Sequence, residues 1–348
     1  MPLGSQKAAF MGAAGSGGAL IKMYMLGGVD SIGSNYTNAD TRIWDESANT
    51  WSSGATLAQG RAGNANNNGA AWLQGASYRN SRFTQAYGFA AGTVSVAIGY
   101  DYDVAANTSS TTGTGPGPNG AIPTYWSMHD EMYISGRQYY DGYGWDRYNY
   151  VSSQAYSDDS WTARGTSPQN CYNQSFTACF SSETNIAHIL GGRNGPTGDR
   201  TAWGVFITNS YDYSQSADSW TGANALPAAA GGNGTNWIDN TNEKTYTWCD
   251  GQVGNEILSI WTKSSDAWST GTASTPRERE NTCMAMNESS GIGYYSSGQA
   301  IAPESPTGYI NTGGNYTLGT DAWATGVPAD CGVGQPSGGM GFFGGIEQ

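Results

Sequence analysis

Ile43-Trp44-Asp45-Glu46-Ser47-Ala48-Asn49-Thr50-Trp51, followed by Ser52-Ser53-Gly54, is the stretch on which the reading of this chain turns. Aromatic residues flank a short polar turn, as in a tight hairpin between two strands. Upstream stands Met23-Tyr24-Met25-Leu26-Gly27-Gly28, an apolar strand ending in a glycine pair. The same unit returns along the chain. Its hairpin recurs at Tyr102–Ser109, Tyr156–Trp161, Tyr213–Trp220, Trp261–Trp268 and Tyr316–Trp323, with Ser109 standing where the others close on Trp. Its Gly-ended strand recurs at Tyr87–Gly92, Met132–Gly136, Ala187–Gly192, Tyr246–Gly251 and Gly293–Gly298. Residues 110–120 read as a Gly/Pro/Thr loop.

A repeat of about 50 residues built from short strands is the signature of a β-propeller. The expectation is all-β: one propeller domain over residues 1–348, with blades near 7–54, 69–112, 121–165, 175–222, 237–271 and 281–326. Cys331–Gly345 aligns without a gap on Cys283–Ser297, so the reading is six four-stranded blades plus a two-stranded half-blade at 331–345. Such a half-blade leaves an unpaired edge around Phe342 and Phe343, a place for a strand from another chain. Trp51, Trp161, Trp220, Trp268 and Trp323 are expected in equivalent wedges between blades. The glycines are expected where inner strands crowd the axis.

Composition narrows the function. Of 348 residues only 12% are charged, while there are 51 Gly, 13 Trp and 22 Tyr, which suits strands and tight turns and disfavours helices. A net charge of −13 argues against a nucleic-acid backbone and against electrostatic docking to anionic lipid. No apolar run has transmembrane length, so membrane insertion is not expected. Cys171, Cys179, Cys249, Cys283 and Cys331 match no zinc spacing, and the odd number leaves at least one thiol over in a monomer.

The glycine-ended strand, the later aromatic turn and the Trp resemble the kelch repeat, over almost the whole chain. The resemblance implies the strand order within each blade. Departures exist: only blades one and four keep a true Gly-Gly pair, and blade two lacks its Trp. A kelch-type galactose oxidase uses two histidines, two tyrosines and a Cys–Tyr crosslink for copper. Here His129 and His188 come from different blades without that pattern, so no metal or cofactor is expected. The turns at Ser264–Trp268 and Thr320–Trp323 are similar to the Asp-box of sialidases but lack its Gly. The arginines that chemistry would need have candidates in Arg61, Arg137, Arg193, Arg277 and Arg279. Glu278, Glu280, Asp141, Asp146 and Asp158 read as solvated loop charge, and no catalytic residue is assigned.

The most suggestive binding stretch is Arg137–Tyr150, read as a loop joining the second and third strands of blade three. Tyr139, Tyr140, Tyr143, Trp145, Arg147 and Tyr148 offer flat ring faces beside polar groups, which suits sugar rings. The alternative is that these tyrosines clamp a long loop to the blade edge. In composition the chain also resembles phage tail, fibre or capsid-spike proteins. The function expected is therefore a non-enzymatic interaction propeller, extracellular or in a virion. Its partners would be other proteins of the assembly, further copies of itself, or a host-surface glycan. The alternative is a secreted glycan-active propeller enzyme, sialidase- or oxidase-like.

Overall fold

The structure, a computed structural model, describes residues 20–29, 37–57, 77–79, 82–85, 88–90, 94–96, 98–115, 124–128, 131–140, 145–155, 157–168, 176–180, 182–183, 185–194, 205–227, 236–248, 258–272, 279–280, 283–296, 299–300, 312–331 and 345–347. The first blade holds β1 (Ile21–Val29), β2 (Thr37–Asp45) and β3 (Thr50–Ser53). The second holds β4 (Ser77–Arg79) and β5 (Arg82–Gln85), then a two-stranded ribbon of β6 (Gly88–Ala90) and β7 (Val94–Val96), then β8 (Ile98–Asp103) and β9 (Thr108–Thr114). The third is β10 (Thr124–Met128), β11 (Glu131–Tyr140), β12 (Trp145–Ala155) and β13 (Trp161–Arg164). The fourth is β14 (Phe176–Ala178), β15 (Ile186–Leu190), a ribbon of β16 (Arg193–Asn194) and β17 (Val205–Phe206), β18 (Ser210–Ser214) and β19 (Ser219–Ala223). The fifth is β20 (Asn236–Asp239), β21 (Lys244–Trp248), β22 (Leu258–Thr262) and β23 (Ala267–Thr270). The sixth is preceded by β24 (Arg279–Glu280) and contains β25 (Cys283–Asn287), β26 (Ile292–Ser296), β27 (Gln299–Ala300, paired with β24), β28 (Gly313–Thr317) and β29 (Ala322–Thr325). The last described strand is β30 (Gly345–Glu347).

These strands make six four-stranded antiparallel sheets, five of them running outward in chain order, which is a β-propeller. The fourth strand of the first sheet is β30, paired antiparallel to β1 through Ile21↔Glu347, Lys22↔Ile346 and Met23↔Gly345. The C-terminal strand thus takes the innermost position of the first blade and closes the ring. The expected half-blade at 331–345 falls almost wholly outside the described residues; its last residue, Gly345, opens β30, whose backbone is satisfied by β1. Phe342 and Phe343 lie outside the described residues. The innermost strands touch in order, β4 to β10, β14, β20, β25 and β30.

Two further expectations change. The second strand of blade two is Arg82–Gln85, and Gly88–Ala90 within the Gly-ended motif belongs to the ribbon instead. Residues 108–114, read from 110 onward as loop, form β9, because a run of β-branched Thr fits a pleated, half-buried surface. The glycines also have a different task. Gly136 (φ 64°) and Gly191 (φ 63°) hold the left-handed conformation where the second strand ends. In blade three the pairing register shifts there, between Ser135 and Arg137, and in blade one between Leu26 and Gly28. They make bulges that turn strand into ribbon, where a Cβ would be strained.

The hairpin joining third and outer strands carries the packing between blades. In register stand Trp44↔Trp51, Tyr102↔Ser109, Gln154↔Trp161, Tyr213↔Trp220, Trp261↔Trp268 and Tyr316↔Trp323. Five residues after the first member of each pair is an Asn or Asp at positive φ: Asn49, Asn107, Asp159, Asp218, Asp266 and Asp321. These types tolerate the left-handed region and place a short acceptor over the turn. That acceptor takes a bond from the ring behind it, as with Trp44 Nε1–Asn49 (3.1 Å), Tyr213–Asp218 (2.7 Å) and Trp261 Nε1–Asp266 (3.0 Å). Tyr102 bonds Asn107 and Tyr316 bonds Asp321 in the same way.

The same carboxyl or amide reaches the preceding blade. Asn107, Asp218, Asp266, Asp321 and Asn49 accept from the backbone N–H of Ala55, Gly165, Asn224, Thr272 and Ala329, at 2.9, 2.8, 3.4, 2.8 and 2.8 Å. At four of these residues the carbonyl receives an indole: Trp220 Nε1 to Gly165 (3.1 Å), Trp268 to Asn224 (3.1 Å), Trp323 to Thr272 (3.0 Å) and Trp51 to Ala329 (2.7 Å). Trp51, Trp220, Trp268 and Trp323 thus sit at equivalent seams, including the one between blades six and one. Behind it, third-strand rings meet second-strand rings of the previous blade, such as Tyr213 with Tyr133 (centroids 5.6 Å) and Trp44 with Tyr294 (4.8 Å).

Candidate functional site

Antiparallel order puts the hairpins between third and outer strands on one face of the ring and the connections between second and third strands on the other. The two faces differ in character, and the second face carries the ribbons.

In blade three the ribbon is longest. Past the bulge at Gly136, β11 and β12 stay paired through Arg137↔Tyr148, Gln138↔Arg147, Tyr139↔Asp146 and Tyr140↔Trp145. Four residues per strand extend it by about 13 Å. The expected loop is therefore two paired strands, because alternating aromatic and β-forming residues continue the ladder. Tyr139, Tyr140, Trp145, Arg147 and Tyr148 all fall on this ribbon, and Tyr143 lies in 141–144, outside the described residues. β11 touches β7 of the blade-two ribbon. Its base is fixed. Asn149 Nδ2 donates to the Ser167 carbonyl (3.1 Å), and Ser167 N–H donates back to the Asn149 carbonyl (3.1 Å). Tyr150, next in line, is 49% exposed, a large ring facing solvent at the foot of the ribbon. Its place is visible only once the register is known. Arg137 and Arg193 stand just past the bulges of blades three and four, and Arg279 stands on β24. Arg61, Arg277 and His129 lie outside the described residues.

The opposite face carries the buried charge. His188 holds the second-strand position that Tyr24, Tyr133, Tyr246 and Tyr294 hold in other blades, and its ring lies 4.5 Å from that of Trp261 in the next blade. Its Nδ1 bonds Asp212 and its Nε2 bonds Glu183, both at 2.7 Å. Lys263 bridges Glu183 (3.1 Å) and Glu243 (2.9 Å). Burial opposes a charged imidazole, but the bonds and charges of Asp212 and then Glu183 outweigh it and raise the pKa above the usual histidine range. One seam back, Glu131 accepts from Arg164 (2.6 Å) and Gln215 (3.2 Å) and bonds Tyr133. Burial pushes the Glu131 carboxyl up, yet the bonds from Tyr133, Arg164 and Gln215 prevail and lower it.

These groups follow one pattern. Two residues after the third-strand ring, five of the hairpins send a side chain onto the preceding blade. Glu46 accepts from Asn287 (2.8 Å) and Tyr294 (2.6 Å), Gln215 meets Glu131, and Lys263 meets Glu183. Val104 and Leu318 pack on apolar clusters at the same position. His188 is thus held within blade four by Asp212 and Glu183, with both nitrogens occupied, and it meets blade five through the Trp261 ring while Glu183 carries the link on to Lys263. Among the described residues no group of three His, Cys, Asp or Glu is placed to hold a metal ion. Cys331 is buried, and burial pushes its thiol up to about 11.

Fold and seams together define a β-propeller, and comparison with known proteins agrees. The chain is similar to the solved structure of YjhT, with a TM-score of 0.57 over 72% of this chain and 81% of that one. At 14% identity the likeness is one of fold. No family model matches the sequence, and no curated protein matches it.

Proposed function

We propose that this protein is a non-enzymatic, kelch-type interaction propeller of an extracellular or phage virion assembly, and that the blade-three ribbon is its recognition element. One observation carries this: Tyr139, Tyr140, Trp145, Arg147 and Tyr148 occupy consecutive cross-strand positions on a ribbon extended beyond the sheet and anchored at Asn149 and Ser167. By register Tyr140, Trp145 and Arg147 share one face of the ribbon and Tyr139 and Tyr148 the other, and an anchored ribbon that pairs rings with polar residues suits the flat face of a sugar ring, with little ordering cost on binding. The described charged clusters of the other face support a scaffold reading, since Gln215 with Glu131, Lys263 with Glu183 and Glu46 with Tyr294 join neighbouring blades. A glycan array probed with the intact protein tests it. Selective binding that Trp145→Ala and Tyr148→Ala reduce at least about tenfold, with the melting temperature unchanged, is the expected result. No binding to glycan, together with monomer mass in material from the natural source, would reject it.

A glycan-active enzyme is the second reading, and one observation favours it: Arg137, Arg193 and Arg279 lie on ribbon strands of the same face. Turnover of a sialoside or other glycoside, lost in Arg137→Ala and Arg193→Ala, would establish it over the binding role.

A further inference from the structure

Five seams satisfy the Asn or Asp of the hairpin turn with two donors, and the seam between blades two and three supplies neither. At the five, a ring O–H or N–H comes from the third strand behind, and a backbone N–H comes from the preceding blade. In blade three the turn residue is Asp159, at φ 57° like its siblings. The third-strand residue behind it is Gln154, opposite Trp161, where the siblings have a ring. Gln154 gives its amide N–H to the Asp159 backbone carbonyl (3.4 Å), and among the described residues nothing donates to the Asp159 carboxylate. Gly113 stands in blade two where Gly165 stands in blade three, four residues past the closing position. A Cβ at Gly113 would lie 3.7 Å from the Asp159 carbonyl oxygen, against 2.6 Å between Gly165 and Asp218, so this seam stands wider.

The same seam buries oxygen. Asp101 alternates with Tyr102, whose ring meets Tyr24 of blade one, so Asp101 faces blade three. Thr112, three residues past Ser109, takes the place of Gly54 in blade one and Gly271 in blade five. There a Cβ would run into the Tyr102 hydroxyl and would stand 3.1 Å from the Tyr316 hydroxyl, which puts Thr112 beside the end of Gln154. Ile43 and Ile260, which precede their rings as Asp101 precedes Tyr102, pack in the clusters of those same two tyrosines. Asp101, Thr112 and Gln154 are 6%, 8% and 1% exposed. Gln154 Oε1 and Thr112 Oγ1 are buried with no hydrogen-bond partner. With its Nε2 turned to the Asp159 carbonyl, Gln154 has only oxygen left to offer.

We propose that this seam binds a calcium ion through the Asp159 and Asp101 carboxylates, the Gln154 amide oxygen and the Thr112 hydroxyl, with water completing the shell. A set made only of oxygens suits calcium, a hard cation that takes about six to eight of them in adaptable geometry. The ion does here what two donors do at the other seams: it puts positive charge at the turn carboxylate and ties blade three to blade two. A carboxylate as buried as Asp101 favours a full positive charge over the partial one of a water, and the net charge of −13 adds to the attraction. Only two of the four ligands are carboxylates, so no group of three His, Cys, Asp or Glu marks the place. The site uses no ribbon residue and stands apart from the glycan reading.

The test follows the melting temperature of the full chain, stripped with EDTA and desalted, as calcium chloride is added up to about 1 mM. The expected result is a saturable rise, accompanied by terbium luminescence that is excited through tryptophan and displaced by calcium. Asp159→Asn keeps the left-handed turn, as Asn49 and Asn107 do in their own blades. It should leave the metal-free melting temperature unchanged and weaken calcium binding at least about tenfold. Gln154→Tyr combined with Thr112→Gly rebuilds the sibling seam, and should raise the metal-free melting temperature and abolish the calcium response. The proposal is overturned by a melting temperature indifferent to calcium, which would leave water as the only occupant. It is also overturned by a rise that magnesium or sodium chloride reproduces at equal ionic strength, or by one that Asp159→Asn leaves intact.

Discussion

Asp218→Ala removes three things at one seam. The Tyr213 hydroxyl loses its 2.7 Å acceptor, the Gly165 N–H loses its 2.8 Å acceptor, and a residue suited to φ 45° gives way to one that is not. The backbone part costs about 1 kcal/mol. A hydrogen bond to a charged group contributes about 1.5–3 kcal/mol in a buried site, but Asp218 is exposed, so each bond here is nearer about 0.5–1 kcal/mol. The sum is about 2–3 kcal/mol. The chain provides its own control, since Asn49 and Asn107 do the same work at two other seams. Asp218→Asn keeps the acceptor and the left-handed preference, and should cost under about 0.5 kcal/mol. Asp218→Gly keeps only the backbone freedom and should recover about 1 kcal/mol of the Ala loss. Urea denaturation followed by Trp fluorescence orders the three. An Asn variant as unstable as the Ala variant would refute the acceptor argument, because charge would then be what matters. An Ala variant within about 0.5 kcal/mol of the parent would refute the seam as a source of stability.

Gly165→Ala should be destabilising by about 1–3 kcal/mol, since its Cβ would lie 2.6 Å from the Asp218 carbonyl oxygen, while Gly222→Ala, with open space around it, should be neutral in the same assay. Gly136→Ala places a side chain at φ 64° in the blade-three bulge and should cost about 1–2 kcal/mol. If it disturbs the ribbon, glycan retention should fall along with the melting temperature. The raised pKa of His188 contributes stability that is fully present below the unfolded-state value and is lost as pH rises through the folded-state value. Melting temperatures of the wild type should therefore fall more steeply than those of His188→Gln as pH is raised from 6 upward; parallel profiles would show that the imidazolium is not held. Deleting Gly345–Gln348 strips β1 of its partner β30 and should lower the melting temperature more than any single seam substitution.

What was legible in the chain was whatever repeats. The turn demands a left-handed residue two places before the closing Trp or Ser each time, so Asn49, Asp218 and Asp321 line up by spacing alone, whereas Tyr156 does not mark the register in blade three, where Gln154 faces Trp161. What was illegible depended on partners remote in sequence. Nothing local in Gly345-Ile346-Glu347 says that it pairs with Ile21–Met23, and the alignment of Cys331–Gly345 on Cys283–Ser297 stops where β30 begins. A pairing between the two ends of the chain leaves no trace in the repeat, because it is fixed by closure of the ring and not by local pattern. The binding stretch shows the same limit from the other side. Aromatic density at 137–150 was plain, but a loop and a ribbon have the same composition. Only the bulge at Gly136, with its register step from Ser135 to Arg137, turns that density into an extended pair of strands. His188 marks where the residue type misleads by inviting a metal: aligned by blade it takes a tyrosine's place, and a ring flanked by Trp261 and two carboxylates serves the seam as the tyrosines do.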